Sequence, residues 1–395
     1  MDEQIALCQQ AIQRWLAHES KASIARALGT THRWVRYWID RYDPDDPEGS
    51  LANRSRAPRV PHSSWPAAIR QQALQSRQMR MNAAAPGYQH ALMGAAAIHY
   101  ELYHLGVRPS PPARTIHHWL QQAGLVPPQP PPAPRSESKP YPLPAHEAVN
   151  ALHALDLQGP FYLAGSAQKQ YLVALRDYAS RHVALEATDN RRAETVAACL
   201  VRAWQRHGLP QVVQMDNGLE FRGSNRYPRA FGRVVRLCLD LDVEPLFVPP
   251  HEPWRNGLIE NFNGLFQRLS LARVRLASFE ALRLEVASLE RDVNASHRLA
   301  ALDGLTPDEF SANQPRRLLD PGYNGHQRAL PLAKGRISAI RLVRQSGRFT
   351  LWANDKFQLD PELKHQYVLA QIDVANQRLD VYYQSKLIQS FDYAL

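Results

Sequence analysis

Cysteine is scarce in this chain: Cys8, Cys199 and Cys238 are the only three in 395 residues. They are scattered, with no CxxC and no His–Cys spacing suited to zinc. This excludes a disulfide scaffold and points to reduced thiols in a cytosolic setting. Long apolar runs are missing too. No stretch of about 18 apolar residues occurs, so no membrane span is expected. Met1 to Gln10 carry Asp2 and Glu3 and lack the basic-then-apolar pattern of a signal peptide, so none is expected. No G-x-x-x-x-G-K-S/T loop is present, so no ATPase motor is encoded.

The chain is short of acidic charge, with a formal net charge of +10. That favours a polyanionic partner, most simply nucleic acid. The excess is uneven. Residues 51–140 hold 10 Lys/Arg against 2 Asp/Glu, and residues 313–395 hold 12 against 7. Residues 145–312 are nearly neutral, with 19 against 20. Basic flanks around a carboxylate-bearing centre suit a protein that grips DNA and performs metal chemistry between its grips.

The length leaves room for roughly two to four domains, and composition shifts divide the chain. Residues 1–60 read as three helices and an extended tail. Helical spacing covers 4–18 and 21–28, Gly29 breaks the pattern, and Thr30 or Thr31 caps a third helix through Tyr42. Two short helices around a glycine turn, the second one basic, read as a helix-turn-helix with His32, Arg33, Arg36 and Tyr37 toward a major groove. The alternative is a three-helix packing module. DNA binding is preferred because turn, cap and basic face coincide. The extended stretch after it carries Arg54 and Arg56, suited to tracking phosphates or entering a minor groove.

Residues 61–125 form a second helical block. A long helix is expected over 87–105, and another after Pro111 and Pro112; the pair reads as a second DNA-binding helix-turn-helix, with Arg114 and His117 on its polar side as DNA contacts. His117 and His118 are adjacent and cannot share a metal from one helix face. Residues 126–144 are a proline-rich, semi-rigid spacer. Beyond it, residues 145–315 change to strands and then alternate helix and strand, indicating a mixed α/β sheet. Residues 330–395 read as several short strands closing a small barrel, whose Arg336, Arg341, Arg344 and Arg348 suit either DNA contact or the soluble surface of a protein-interaction or packing barrel. The expected fold is therefore multidomain: an α-helical helix-turn-helix N-terminal region, an α/β core and a small all-β C-terminal barrel.

Three acids stand out in the core. Asp156 closes the first strand, Asp216 follows a short strand in Asp-Asn-Gly, and Glu260 lies early on a helix expected from Gly257, with Asn256 as its N-cap. Asn263 and Gln267 share the stripe of Glu260. Each acid alone fits a turn or a surface. Together, carboxylates converging without cysteines or a histidine cluster favour hard cations, Mg²⁺ or Mn²⁺. Two such ions about 3.5 to 4 Å apart serve phosphoryl transfer.

These residues carry a specific likeness. Asp156, Leu175–Arg181, Asp216-Asn-Gly-Leu-Glu-Phe221 and Pro253-Trp-Arg-Asn-Gly-Leu-Ile-Glu-Asn261 resemble the retroviral-integrase-type catalytic domain of bacterial insertion-sequence transposases, a ribonuclease-H-like fold. The acid three positions after Asn256-Gly257 is the strongest marker. The likeness spans about residues 10–310. It implies that Asp156, Asp216 and Glu260 are the catalytic, metal-binding acids, and that Asp177 and Arg181 are structural. The 43 residues between Asp216 and Glu260 exceed the family's usual spacing, with the surplus placed in Arg222–Gly232. Glu252 would restore that spacing, but it precedes the Asn-Gly marker and lies outside the expected helix.

The resemblance further implies a cytoplasmic, nucleoid-associated transposase that binds double-stranded DNA at element ends and target, uses two Mg²⁺ or Mn²⁺ ions, and acts as a homo-oligomer on DNA. Arg255, Asn263 and Gln267 are then candidates for contacting the DNA end. The alternatives are a catalytically silent DNA-binding regulator or domesticated element, or a subunit that needs a separate ATPase partner.

Overall fold

Val35, Trp38 and Ile39 are spaced to lie on one side of a helix, and their burial organises the first part of the chain. The computed structural model describes residues 3–51, 65–127, 139–353 and 355–395, which places Arg54 and Arg56 outside the described residues. It divides into two units, Met1–Trp65 and Pro66–Leu395. The first holds α1 (Glu3–Leu16), α2 (Lys21–Ala27), α3 (His32–Arg41) and the short α4 (Pro47–Leu51). Ser20 and Thr31 cap α2 and α3, accepting from the Ser23 and Trp34 amides at 3.3 and 3.2 Å. Gly29 takes φ +62° between them, a left-handed turn that a side chain adopts at a cost. Cys8, Ile12, Ile24, Val35 and Trp38 fill the core.

The second unit begins with α5 (Ala67–Met81), α6 (Ala95–His104) and α7 (Ala113–Gln122). The helix expected over 87–105 is shorter, because residues 85–93 are spent on packing against the core. There the His90 ring sits between Glu285 (2.9 Å) and Asp292 (2.6 Å). Its carbonyl accepts from His297 Nε2 at 2.7 Å, and the Gln89 carbonyl accepts from Arg273 at 2.6 Å. A continuous helix would fold these groups back on themselves.

The core sheet starts with an antiparallel meander, β1 (Leu152–Tyr162), β2 (Lys169–Asp177) and β3 (Val183–Thr188). Helix α8 (Ala193–His207) leads to β4 (Val212–Met215), which lies parallel to β1. The short α9 (Leu219–Arg222) and α10 (Arg233–Asp240) lead to β5 (Glu244–Phe247), parallel to β4. Helices α11 (Gly257–Phe266), α12 (Phe279–Ser296) and α13 (Pro307–Ser311) follow. Alternate residues sort into two layers. Ala154, Leu172 and Ala174 pack with α11 and α12, while Leu155, Val173 and Leu175 pack with α8 and α10. This period of two is what a sheet covered on both faces requires.

The expected C-terminal barrel does not form. β6 (Arg336–Leu342) pairs parallel with β5, Leu246 against Ser338 and Phe247 against Ala339. After the separate hairpin of β7 (Arg348–Thr350) and β8 (Lys356–Gln358), strands β9 (Tyr367–Asp373), β10 (Arg378–Tyr383) and β11 (Lys386–Asp392) continue the same sheet. The result is nine strands in the order β11-β10-β9-β6-β5-β4-β1-β2-β3. The physical reason lies in β6: its middle five residues are buried, and a free β5 edge would otherwise leave its backbone groups unpaired. No helix among the described residues is long and apolar enough to cross a membrane.

Candidate active site

Sheet register brings the first two acids together. β1 pairs with β4 as Leu152 to Val212, His153 to Val213 and Ala154 to Gln214. Carried two residues further, that register sets Asp156 level with Asp216. Asp156 is not at a strand end, since β1 continues to Tyr162. It lies just past the point where the shorter β4 stops, which opens the sheet beside it. Asp156 shares the parity of Ala154 and so faces α11, where the Asn263 amide donates to its carboxylate.

Asp216 is fixed by its own loop. The Gly218 amide donates to its Oδ1 at 2.7 Å. A Cβ at position 218 would stand 2.9 Å from that oxygen, so a side chain there would push the Asp216 carboxylate out of place. Asn217 ties the loop down, its Nδ2 donating to the Val248 carbonyl at 2.7 Å. Glu220 adds a carboxylate on the next turn, paired with Arg191 at 2.8 Å. Neither of these last two stands out in the sequence, although Glu220 belongs to the Asp216–Phe221 motif.

Helix α11 carries Glu260, and Asn256 docks it. Asn256 stands at the N-cap position but makes no side-chain cap. A 3₁₀ turn over Pro253–Asn256 precedes the helix, and the buried Asn256 amide is drawn inward instead. Its Nδ2 donates to the Leu155 carbonyl at 3.1 Å, and its Oδ1 accepts from Gln214 at 3.0 Å. One side chain thus joins the residue before Asp156 to the strand that delivers Asp216. Glu260 follows one turn later and is exposed.

The electrostatics are those of crowded acids. Burial first, then the charge of Asp216, push the Asp156 carboxyl up to about 6; Asn263 and the Leu157 amide oppose, and Glu260 adds to the rise. Burial also raises Asp216, against the Gly218 amide and Arg191, with Glu220 contributing upward. Asp156 has no cationic side chain among its hydrogen-bond and ion-pair partners. Among the described residues, no three His, Cys, Asp or Glu side chains gather closely enough to hold one ion. The donor set nonetheless fits a hard divalent cation: repelling carboxylate oxygens, and the buried Oδ1 of Asn263 left without a hydrogen-bond partner. Asp156 and Asp216 would hold it, with Glu260 the third acid whose charge Asp156 already feels.

Asn263→Ala is therefore expected to raise Asp156 further. Removing a hydrogen bond to a charged group is worth about 1.5–3 kcal/mol, or roughly one to two pH units. The acid limb of any activity that needs ionised Asp156 should move to higher pH by that amount, read from a pH–rate profile. An unmoved limb would show that Asn263 does not tune Asp156.

The other candidates are placed as follows. Glu252 turns away from the acids, its Oε2 accepting from Tyr367 (2.7 Å) and Arg255 (3.1 Å). Arg255, expected at the DNA end, is half-buried: its guanidinium lies 4.2 Å from the Tyr141 ring and 4.7 Å from that of Tyr367. Arg341, expected on a basic surface, is buried. Asp177 is buried and braces the β2–β3 turn, accepting from the Ser180 amide at 2.8 Å. His32, Arg33, Arg36 and Tyr37 are exposed along α3, Arg114 is exposed and His117 half-buried on α7, and Gln267 is exposed beyond α11.

No family model matches the chain. The insertion element IS407 uncharacterized 31.7 kDa protein of Burkholderia multivorans is 31% identical over 117 residues, covering 30% of this chain and 39% of that relative. This chain is similar to an insertion-element protein. The overlap spans about two-fifths of that relative's length. Among solved structures, the HTLV-2 integrase catalytic core domain in complex with magnesium is 16% identical with a TM-score of 0.33, covering 41% of this chain and 97% of that one. The BIV integrase catalytic core is 19% identical at 0.32, covering 41% and 93%. An integrase-type match of wider reach is the simian T-cell lymphotropic virus intasome in complex with PP2A regulatory subunit B56 gamma, 15% identical at 0.37, covering 76% and 93%. The resemblance read from the motifs is thus met by an insertion-element relative.

Proposed function

We propose that this chain is a DNA transposase of the acid-triad type, which cleaves at element ends and joins them to target DNA. The observation that carries the reading is the alignment of Asp156 with Asp216 by strand register, with Asn256 tying the start of the Glu260 helix to both strands. Two divalent ions, Mg²⁺ or Mn²⁺, would supply activation of the attacking oxygen and stabilisation of the leaving one. The chain's own groups set the frame. Asp156 and Asp216 would hold the cations with Glu260 as the third acid, while Asn263 orients Asp156 and the Gly218 amide orients Asp216.

The reaction has two balanced steps. Water attacks a phosphorus at the element end, the P–O3′ bond breaks, and the freed 3′-oxygen takes up a proton. That 3′-hydroxyl then attacks a target phosphodiester, loses its proton, and displaces the target's 3′-oxygen. Neither step needs a covalent protein–DNA intermediate or ATP. Two element ends handled together call for a homo-oligomer on DNA, and an ATPase partner would serve only target choice.

Helix α3 supplies end recognition in this reading. Arg36 is paired with Asp40 at 3.4 Å, but both are exposed, and such pairs hold little energy against a phosphate. Replacing Arg33 and Arg36 together by Ala should weaken end binding and lower the salt slope by about 1 for each phosphate the variant no longer neutralises. A slope equal to wild type in a binding titration would remove α3 from the interface.

The test of the reaction uses full-length protein, Mg²⁺ and duplexes carrying the element's own ends. Nicking at the end with a new 3′-hydroxyl, followed by joined products, is expected. Tight end binding with no cleavage in Mg²⁺ or Mn²⁺ would overturn the transposase reading in favour of a regulator.

A further inference from the structure

Arg341 is the next-to-last residue of β6 and is 2% exposed. Among the described residues no carboxylate pairs with it. Its guanidinium is satisfied by oxygen dipoles instead. Nε and Nη2 donate to the Leu351 carbonyl at 3.1 and 3.0 Å, and Nη1 donates to the Val248 carbonyl at 3.1 Å. Trp352 covers it, with the ring 4.8 Å away. A buried cation without a counter-ion is costly, and this one does more than fill space.

Two of its contacts lead to the acids. Nη2 donates to Asn217 Oδ1 at 2.8 Å, and Asn217 is the residue after Asp216. The Val248 carbonyl accepts from both Arg341 and Asn217 Nδ2. Val248 is the first residue after β5, from which the chain runs through Pro249–Pro253 to the helix of Glu260. Arg341 therefore grips both loops that leave the sheet toward the carboxylates. The planar fork of the guanidinium spreads its donors toward separate acceptors, whereas an ammonium is a compact point donor that does not match that geometry.

We infer that Arg341 is a positioning residue for the carboxylate site, acting through Asn217 and the Val248 carbonyl to set the loops that carry Asp216 and Glu260. The inference rests on the assignment of those acids as the reactive centre. It makes the C-terminal strands part of the catalytic frame. β6 pairs the open side of β5 and also sends one side chain into the site's supporting layer.

The test compares Asn217→Ala, Arg341→Met, Arg341→Lys and the Asn217→Ala/Arg341→Met double variant, all as full-length chains. Three quantities are read: melting temperature, hydrogen exchange of residues 216–221, and binding of Mn²⁺ alone by titration. Asn217→Ala leaves the Arg341 bonds to Leu351 and Val248 in place, so it should melt close to wild type. Its loop should exchange faster, and its Mn²⁺ affinity should fall about 10- to 100-fold, the usual effect of removing a supporting hydrogen bond. Arg341→Lys should behave like Arg341→Met in Mn²⁺ binding. The double variant should be no worse than Arg341→Met, because both changes break one chain of hydrogen bonds.

Wild-type Mn²⁺ affinity and loop exchange in Asn217→Ala would overturn the inference, as would additive effects in the double variant. DNA cleavage separates the two ideas. Cleavage by wild type with an indifferent Asn217→Ala sinks the positioning role and leaves the reaction standing. No cleavage by wild type, with the expected loop and Mn²⁺ changes, sinks the reaction and leaves the positioning role.

Discussion

Asp156→Asn should lose strand cleavage and joining by roughly 10³-fold or more, in line with removal of one member of a unit that acts together, while making the folded protein more stable at neutral pH. The two effects have one cause. The folded Asp156 carboxyl is raised to about 6 from an ordinary 3.8. A group raised in the folded state gives full stability below its unfolded value and loses it as pH rises through the folded value. Asp156 therefore weakens the fold progressively between about pH 4 and 6, and by a constant amount above. A shift of about two units corresponds to at most about 3 kcal/mol, and partial contact with solvent reduces this toward 1 kcal/mol. The asparagine variant lacks the ionisation, so it should melt a few degrees above wild type at pH 8 and match it near pH 3.5. Mg²⁺ should raise the melting temperature of wild type more than that of the variant, because only the native site binds it. Equal Mg²⁺ shifts, or a variant less stable at pH 8, would remove Asp156 from the cation site.

Much of the site is legible in the sequence because strands and motifs encode it twice. The period of two in residues 152–157 and 170–177 fixes which side chains share a face, and a short parallel strand ending in Asp-Asn-Gly places Asp216 at an open edge. What escapes does so for physical reasons. Asn256 has the chemistry of a helix cap, and the same amide serves equally well as a buried bridge; only the neighbouring strands decide which. The strands of residues 336–392 alternate as they would in a barrel, and alternation does not say which edge a strand will join. Arg341 reads as a surface cation because arginine is rarely buried without a partner. Its partners are backbone carbonyls and the amide oxygen of Asn217, and neither kind of acceptor has a signature in a sequence.

Glu260 and Glu252 separate two versions of the site, and their variants should fail in different ways. Glu260 is exposed on α11, and its charge reaches Asp156. Glu260→Gln keeps the shape of the side chain and removes the charge, so the fold and end binding should persist while cleavage falls by roughly 10³-fold. Glu252 is engaged elsewhere. Its carboxylate holds the Tyr367 hydroxyl and the Arg255 guanidinium, which in turn lies against Tyr141. Glu252→Gln leaves a half-buried arginine without its carboxylate, at a cost of about 1–3 kcal/mol, so a lower melting temperature is expected with cleavage largely retained at low temperature. Cleavage assays at a temperature where both variants are folded decide the matter. Loss through Glu252 alone would move the third acid onto the loop before α11 and match the shorter spacing from Asp216. Loss through Glu260 alone would assign the longer spacing to the segment Arg222–Gly232, where Gly223 and Gly232 touch. There an added Cβ on Gly223 would meet the Gly232 backbone at 2.6 Å. That close approach, with the Gly232 amide donating to the Arg222 carbonyl at 2.7 Å, brings the two ends of the segment together, so that it closes on itself between the two acids.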